Sequence, residues 1–325
     1  MNRPDRDWLA AAAHLAARGR PISRPNPAVG ALVVANGIVL GRGWTQAGGR
    51  PHAEAIALAQ AGDAALGATL FVTLEPCAHA STRGPSCAHL ICTSGLARVV
   101  IGVQDPDTRT AGNGMATIAA AGIAVERLDC PECAQSLQGY LMRTRKRRPH
   151  VTVKLAMSVD GSIALADGSS QWITGAEARA HVHAMRARAD AIVVGGATLR
   201  ADAPRLDVRL SGLEDRSPER WVLTCRPAPD GWRVLPSPDA IHAMGDVQYL
   251  FVEGGAQTAA QFLAADLVDR LLIYRAPILI GAGMPGIGDI GLRQLADAHG
   301  RWRMADRRTL GNETLEVYER LRPQD

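Results

Sequence analysis

The chain predicts a two-domain α/β protein, and three observations carry that expectation. Its 325 residues fit two domains at roughly 100–200 residues each. Short apolar, β-rich runs alternate with helical segments in both halves, the pattern of layered α/β folds. A basic run closing on proline, Arg143 to Pro149, sits near the midpoint. The boundary is placed there, giving domains 1–148 and 149–325.

The elements follow in order. Asp7 to Ala17 is rich in Ala and Leu and predicts a helix. Ala28 to Val34 and Ile38 to Gly41 are strands joined at Asn36-Gly37, a hairpin turn whose residues tolerate positive φ. A helix over 52–61, a strand over Thr69 to Leu74 and a helix from Ser86 closing on Gly95 come next. Arg98 to Val103 reads as a buried strand, Gly114 to Ala121 as a helix and Ile123 to Glu126 as a strand. This alternation implies a three-layer α/β/α first domain. The second half restarts with a strand over Val151 to Met157 and a helix over Thr174 to Ala189. Strands follow at 191–194, 221–224 and 249–252, then a helix opened by Gly254-Gly255. Val268 to Arg275 reads as the final strand.

The bulk numbers exclude several classes. Hydrophobic residues make up 47% and charged residues 21%, a globular balance, and at 4% aromatics the cores are built from Ala, Val, Leu and Ile. No run approaches the ~20 apolar residues of a membrane span. The charged start Met1 to Asp7 lacks a signal-peptide core, so the expectation is a cytoplasmic protein with no membrane partner. The net charge of +4 is compatible with an anionic small substrate. Arg143 to Arg148 could grip nucleic acid, but no aromatic platform accompanies it; a solvated linker is preferred and no nucleic-acid partner is expected. The six cysteines, in a cytosolic chain, point to metal, catalysis or burial rather than disulfides.

The chemistry is concentrated at His52-Ala53-Glu54, Glu75-Pro76-Cys77 and Cys87. One imidazole and two thiolates suit zinc with a fourth position left for water. Zinc lowers the pKa of such water, and a Glu that is not a ligand can carry its proton. H-x-E followed by P-C-x-x-C is the pattern of zinc nucleobase deaminases. Here nine residues, Ala78 to Ser86, separate the two cysteines instead of two. Pro51 is expected to place His52 and Glu54 in a first helical turn. Pro76-Cys77 is expected to open a second turn or helix whose amides favour the Cys77 thiolate. Each residue alone would more often be structural; the combination favours one zinc site, with His52, Cys77 and Cys87 as ligands and Glu54 as catalytic proton carrier. Cys130-Pro-Glu-Cys133 lacks a second ligand pair and reads as a helix start with incidental cysteines. Cys92 and Cys225 read as buried small hydrophobes.

Further motifs join these: Asn26 to Gly30, Thr73 to His79, Gln104-Asp105-Pro106, Lys154 to Gly161, Ser170 to Thr174 and Val252 to Gly255. With them the chain resembles the bifunctional riboflavin-biosynthesis deaminase/reductase family along nearly its whole length. The resemblance implies a cytidine-deaminase-like first domain that hydrolyses an amino group from a phosphorylated diaminopyrimidinone. It implies a dihydrofolate-reductase-like second domain that reduces the ribosyl group to ribityl with NADPH. It also implies a homo-oligomer, dimer or tetramer. By the same resemblance, Asn26, His79 and Arg83 meet the deaminase substrate. Ser170, Arg186, Leu206, Arg209 and Glu253 meet the reductase substrate, the two arginines offering phosphate their guanidinium forks. Ala156, Trp172, Thr198, Asp202, Gly255, Ala256 and Gln257 match cofactor positions, the last three opening a helix whose amides can receive pyrophosphate.

Three departures from the family pattern stand out. The loop between the cysteines is slightly longer than usual. Thr45 stands where many members carry His. The stretch between Arg209 and Glu253 is markedly shorter and turn-rich, which implies a strand and helix missing from the cofactor side, around 210–250. A deaminase alone, with a degenerate reductase domain kept for assembly or substrate capture, is therefore the alternative reading.

Overall fold

The structure, a computed structural model, describes residues 3–79 and 82–322. The chain divides into two compact units, residues 1–147 and 148–325.

In the first unit, α1 (Arg3–Ala16) precedes the hairpin β1 (Gly30–Ala35) and β2 (Ile38–Trp44). Asn36 and Gly37 both take positive φ, 51° and 75°, as the two-residue turn requires. Then come α2 (Ala53–Ala61), β3 (Thr69–Leu74), α3 (Cys87–Cys92), β4 (Arg98–Val103), α4 (Asn113–Ala120), β5 (Ala124–Arg127), α5 (Pro131–Ser136) and α6 (Gln138–Lys146). The sheet order is β2-β1-β3-β4-β5, antiparallel through β1 and parallel from β3 onward. Alternate residues face opposite layers. Ala31, Val33, Leu70 and Val72 pack with Ala53, Ala57 and Ile91 of α2 and α3. Leu32, Val34 and Phe71 pack with Leu9 and Ala12 of α1 and Cys133 of α5.

One contact fixes the site-bearing helix. A Cβ on Gly41 would stand 2.0 Å from the Ala57 carbonyl oxygen, and one on Gly43 would stand 2.1 Å from that of Ala53. Only glycine lets α2 lie this close to β2, so the start of α2 is held against the sheet.

The second unit is built on an eight-stranded sheet. Its elements are β6 (His150–Met157), β7 (Ser162–Ala164), α7 (Ala176–Arg186), β8 (Ala191–Gly195), α8 (Gly196–Asp202), β9 (Glu219–Leu223), β10 (Arg233–Leu235), β11 (Tyr249–Val252), α9 (Ala256–Ala264), β12 (Arg270–Arg275), β13 (Met284–Pro285), β14 (Trp302–Leu310) and β15 (Glu313–Arg320). The order β10-β9-β8-β11-β6-β12-β15-β14 is parallel except at β12-β15 and β15-β14. β13 pairs with β7 separately.

Two expectations are corrected here. Val268 to Arg275 is not the final strand: the β14–β15 hairpin follows and completes the sheet. β14 is an outer strand whose side chains are largely exposed, so it lacks the apolar alternation that marks a strand in sequence. The shortened, turn-rich 210–250 stretch carries more regular structure than expected. It forms β9, β10 and a 3₁₀ turn over Pro238–Ala243, and buries Leu235, Ile241 and Met244 in the core. Between β9 and β11 it carries one strand and a 3₁₀ turn but no α-helix.

The basic run is not wholly solvated either. Arg148 is buried and holds Asp269 through two bonds of 2.7 and 2.8 Å, while Asp269 also accepts from the Val151 amide. Burial alone would push the Asp269 carboxyl up, but Arg148 and the facing donors hold it down at about 2. Because the folded value lies below the unfolded one, this stabilisation is present above pH ~4 and is lost as pH falls toward 2. It is worth about 2 kcal/mol. Asp269→Asn should therefore destabilise the protein at pH 6, and the gap from wild type should close between pH 4 and 2 in denaturant titrations. A gap independent of pH would refute the assignment.

Candidate active sites

His52 is the N-cap of α2, in extended conformation, and Glu54 is the second helical residue. This corrects the expected placement of both in one turn: the helix starts a residue later, so His52 swings out to the ligand side while Glu54 stays on the helix. Pro76-Cys77 opens no helix and lies in coil after β3. The helix that serves Cys77 is α3, which begins at Cys87 with Ser86 as its cap. The Cys87 amide donates to Cys77 Sγ at 3.4 Å. The facing Cys87 thiol, His52 and that amide bond outweigh burial and hold the Cys77 thiol below the usual range, whereas the facing Cys77 sulfur and burial push Cys87 up.

His52 Nδ1 lies 3.2 Å from Cys87 Sγ and 3.6 Å from Cys77 Sγ. The three ligand atoms all fall within 4.8 Å of one another. Zn–N and Zn–S bonds of usual length around a tetrahedron put neighbouring ligand atoms about 3.3–3.8 Å apart, so the donor set fits zinc. Glu54 is 3% exposed, and burial raises its carboxyl above the usual range, with His52 partly opposing. It lies beside the cluster without joining it. Asn26 sits on the other ring nitrogen of His52, Nδ2 to Nε2 3.4 Å, and donates to the Gly49 carbonyl.

A cavity of about 260 Å³ opens over these groups. Asn26, Thr45, His79 and Arg83 line it, so the residues expected from sequence in this domain come together. Arg83 bonds the Gly48 carbonyl at 3.0 Å. His79 Nδ1 and Thr110 Oγ1 are buried with no hydrogen-bond partner among the described residues, which suits groups awaiting a ligand. Thr45 is buried and spends its hydroxyl on the Val29 amide, so it supplies no imidazole substitute.

Sequence reasoning assigned no role to Glu75, Asp105 or Tyr140. Glu75 is buried, and its carboxylate accepts from the amides of Asp105, Gly112, Gly114 and Met115 at 3.0–3.3 Å. It thereby folds the 105–115 loop against the zinc ligands. Asp105 accepts from Tyr140 Oη at 2.7 Å, and both line the cavity. The signal for Glu75 was an acidic residue closing the apolar run of β3; its partners 30–40 positions away were invisible. Glu75→Gln replaces one acceptor oxygen with a donor facing amides. It should cost about 2–3 kcal/mol of stability in the first unit, read by urea denaturation followed through a probe in that unit. An unchanged midpoint would show that the loop holds itself.

In the second unit, Glu253 directly follows β11 and is buried. Arg186, at the end of α7, grips it through Nε at 2.6 Å and Nη2 at 3.0 Å, and gives Nη1 to the Asp207 carbonyl. This corrects the expectation that the Arg186 fork is open to phosphate: the carboxylate already occupies it. Arg209 is mostly exposed, with Asp207 3.5 Å away, and is the arginine better placed for an anion. Lys154 Nζ stands 3.9 Å from Glu253. Burial lowers the Lys154 ammonium, with Glu253 opposing. Burial alone would raise Glu253, but Arg186 and Lys154 hold it below the usual carboxylate range. Lys154 was not among the expected site residues; its signal was a lone cation in the apolar strand β6.

The other expected positions distribute as follows. Ala156 lies on β6. Ser170 and Trp172 are in the exposed β7–α7 loop, where Arg179 covers the Trp172 ring at 4.9 Å. Thr198 and Asp202 lie on α8, and Leu206 is buried at φ 54°. Gly255 caps α9, with Ala256 and Gln257 in its first turn. There is no room for a Cβ on Gly254, which would meet Thr258 at 2.3 Å, or on Gly195, which would meet the same residue at 2.4 Å. Gly195 and Gly254 thus pack directly against Thr258 in the first turn of α9. Cys130 caps α5 and Cys133 lies within it, both buried; Cys225 is exposed, against expectation. Among the described residues no helix is long and apolar enough to cross a membrane.

Fold and sites together define a zinc-dependent deaminase joined to a nicotinamide-dependent reductase. Residues 2–103 match the cytidine and deoxycytidylate deaminase zinc-binding region, and residues 149–315 match the RibD C-terminal domain. The riboflavin biosynthesis protein RibD of Escherichia coli K12 is 37% identical, over 90% of this chain and 94% of its own. That of Mycobacterium tuberculosis H37Rv is 38% identical, over 90% of each. Among solved structures, Acinetobacter baumannii RibD (form 1) superposes with a TM-score of 0.87 at 30% identity, covering 98% of this chain and 99% of that one. A Thermotoga maritima diaminohydroxyphosphoribosylaminopyrimidine deaminase/5-amino-6-(5-phosphoribosylamino)uracil reductase gives 0.86 at 28%, with the same coverage. The chain belongs to the RibD family of riboflavin biosynthesis proteins.

Proposed function

We propose that this chain carries out two successive steps. The first unit hydrolyses the 2-amino group of 2,5-diamino-6-ribosylamino-4(3H)-pyrimidinone 5′-phosphate. The second reduces the ribosyl group of the product to ribityl with NADPH. The observation that carries the reading is the buried Glu54 beside a His52–Cys77–Cys87 cluster at the floor of a polar cavity.

Zinc, when bound by His52, Cys77 and Cys87, brings the pKa of a coordinated water to about 7. Glu54 would take one proton from the attacking water and give it to the ring nitrogen, then carry the second, from the hydroxyl of the adduct, to the amino group that leaves as ammonia. Its raised pKa suits the second half of that task, since a weaker acid holds the proton until the leaving group needs it. Asn26 presents an amide to the pyrimidinone edge. His79, with its unpartnered ring nitrogen, and Arg83 face the phosphate end.

In the second unit, NADPH supplies the hydride, and the protein positions two anionic molecules. Ala156, Trp172, Thr198, Asp202 and the Gly255-Ala256-Gln257 turn take the cofactor. Ser170, Leu206, Arg209 and the Arg186–Glu253–Lys154 group take the substrate. Arg186 acts by orienting Glu253 as an acceptor for ribosyl hydroxyls. The working boundary between the activities is placed at 148/149. A homo-oligomer is part of this reading, and light scattering would size it. The setting is cytoplasmic, with phosphorylated metabolites as the only substrates.

The rival reading, a reductase unit kept without activity, is disfavoured by the intact Arg186–Glu253–Lys154 group. Supplying the deaminated product with NADPH should give sustained loss of absorbance at about 340 nm. No turnover with intact deamination would establish the rival instead.

A further inference from the structure

The first unit carries two thiols that the reading above leaves unused, Cys130 and Cys133 of the Cys130-Pro-Glu-Cys133 motif. Cys130 caps α5 in extended conformation, and its carbonyl accepts from the Ala134 amide at 3.2 Å, which closes the first turn of the helix. A disulfide takes Cα atoms about 4.4–6.8 Å apart, and residues three apart across one helical turn fall in that range. The two thiols face each other directly. They are not equivalent. Cys133 is sealed inside the core: its Sγ reaches the Leu9 carbonyl at 3.5 Å and would stand 2.5 Å from a Cβ on Gly102 of β4. Cys130, 3% exposed, lines the wall of a cavity of about 550 Å³ beyond the carboxyl ends of β4 and β5. Its Sγ donates to Glu132 Oε2 at 3.3 Å. The facing Cys133 thiol outweighs burial and holds the Cys130 thiol below its usual range, while the Cys130 sulfur and burial push Cys133 up.

We propose that Cys130 and Cys133 form a redox-active dithiol, with Cys130 as the attacking sulfur and a low-molecular-weight disulfide, admitted through the cavity, as its oxidant. The arrangement has the division of labour that thiol–disulfide exchange needs: one sulfur at a cavity wall and a second directly behind it to resolve the mixed disulfide. A C-x-x-C pair set beside parallel strands fits the same chemistry. The exchange runs in two steps. Cys130 loses its proton to solvent, and the thiolate attacks one sulfur of the incoming disulfide, forming a mixed disulfide and releasing one thiolate. Cys133 then loses its proton, and its sulfur displaces the second thiolate as the Cys130–Cys133 bond closes. The two released thiolates take up the two protons. Two cysteine thiols are oxidised and one disulfide is reduced to two thiols. Neither catalytic step of the proposed function is involved, and the zinc ligands Cys77 and Cys87 are separate residues of other elements.

Glutathione disulfide is the probe, applied to the full-length, zinc-loaded protein, with the products read by peptide mass spectrometry after acid quenching and alkylation. Both cysteines fall on one tryptic peptide, Leu128 to Arg143, so an internal disulfide appears as loss of two hydrogens and of both alkylation sites. Wild type should give that peptide, and excess reduced glutathione should return it to the dithiol. Cys133→Ser should stop at the first step, with one glutathione held on Cys130. Cys130→Ser should slow modification of Cys133 by at least about tenfold, since the attacking sulfur is gone. Both variants should keep zinc near one per chain, which shows that the unit remains folded. Should either variant misfold, the wild-type rate decides: oxidation in native buffer must outpace global unfolding, measured by denaturant jump. A peptide that stays dithiol in native buffer, or is oxidised only as fast as the protein unfolds, overturns the proposal. So does equal glutathione uptake at Cys130 and Cys133 in the two variants, which would mark two independent thiols.

Discussion

Glu54→Gln is expected to lower the rate of ammonia release by about 10²–10⁴-fold while zinc stays near one per chain. The size follows from what Glu54 does. It is buried on α2, beside the metal ligands but not one of them, so its loss removes proton transfer and leaves the ligand atoms in place. Gln keeps the shape and one acceptor oxygen but cannot take a proton. KM should move little, since the ring and phosphate are held elsewhere. Metal analysis alongside ammonia release separates this outcome from simple loss of zinc. A variant retaining a tenth or more of wild-type rate with full zinc would remove Glu54 from the mechanism.

The second large effect is expected at Cys77. Cys77→Ala should bring zinc well below one per chain and ammonia release below detection. Hydride transfer from NADPH to the deaminated product should stay within about twofold of wild type, because the ligands lie in one compact unit and the reductase residues in the other. Removing Cys77 takes away both a ligand and the acceptor of the Cys87 amide. Full deamination in Cys77→Ala would overturn the ligand assignment. Loss of hydride transfer as well would show that the units do not act independently.

The zinc site was legible because its chemistry is carried by residue types at short spacing. His52 and Glu54 are two apart, proline precedes Cys77, and the glycines that let α2 close on β2 lie just upstream. The hairpin at Asn36-Gly37 was legible for the same local reason. What sequence missed depends on distance or exposure. Glu75 acquires its role from amides on the 105–115 loop, and Tyr140 from a carboxylate in that loop. β14 is an outer strand facing water, with no apolar rhythm to betray it. The helix favouring the Cys77 thiolate was sought at Cys77 itself, but it arrives from Cys87, across the long loop. The 210–250 stretch read as short of a strand and a helix because it is markedly shorter than the family pattern; folded, it contributes β9, β10 and a 3₁₀ turn.

The central claim is that one chain performs deamination and then reduction. Incubating the purified full-length protein with the diaminopyrimidinone phosphate, with and without NADPH, and identifying the products by mass spectrometry tests it most directly. Without NADPH the account predicts ammonia and a deaminated compound that still carries its ribosyl group. With NADPH it predicts the deaminated ribityl compound, one NADPH oxidised per ammonia released. A reduced product that keeps its 2-amino group, or deaminated product that persists unreduced in excess NADPH, would contradict it.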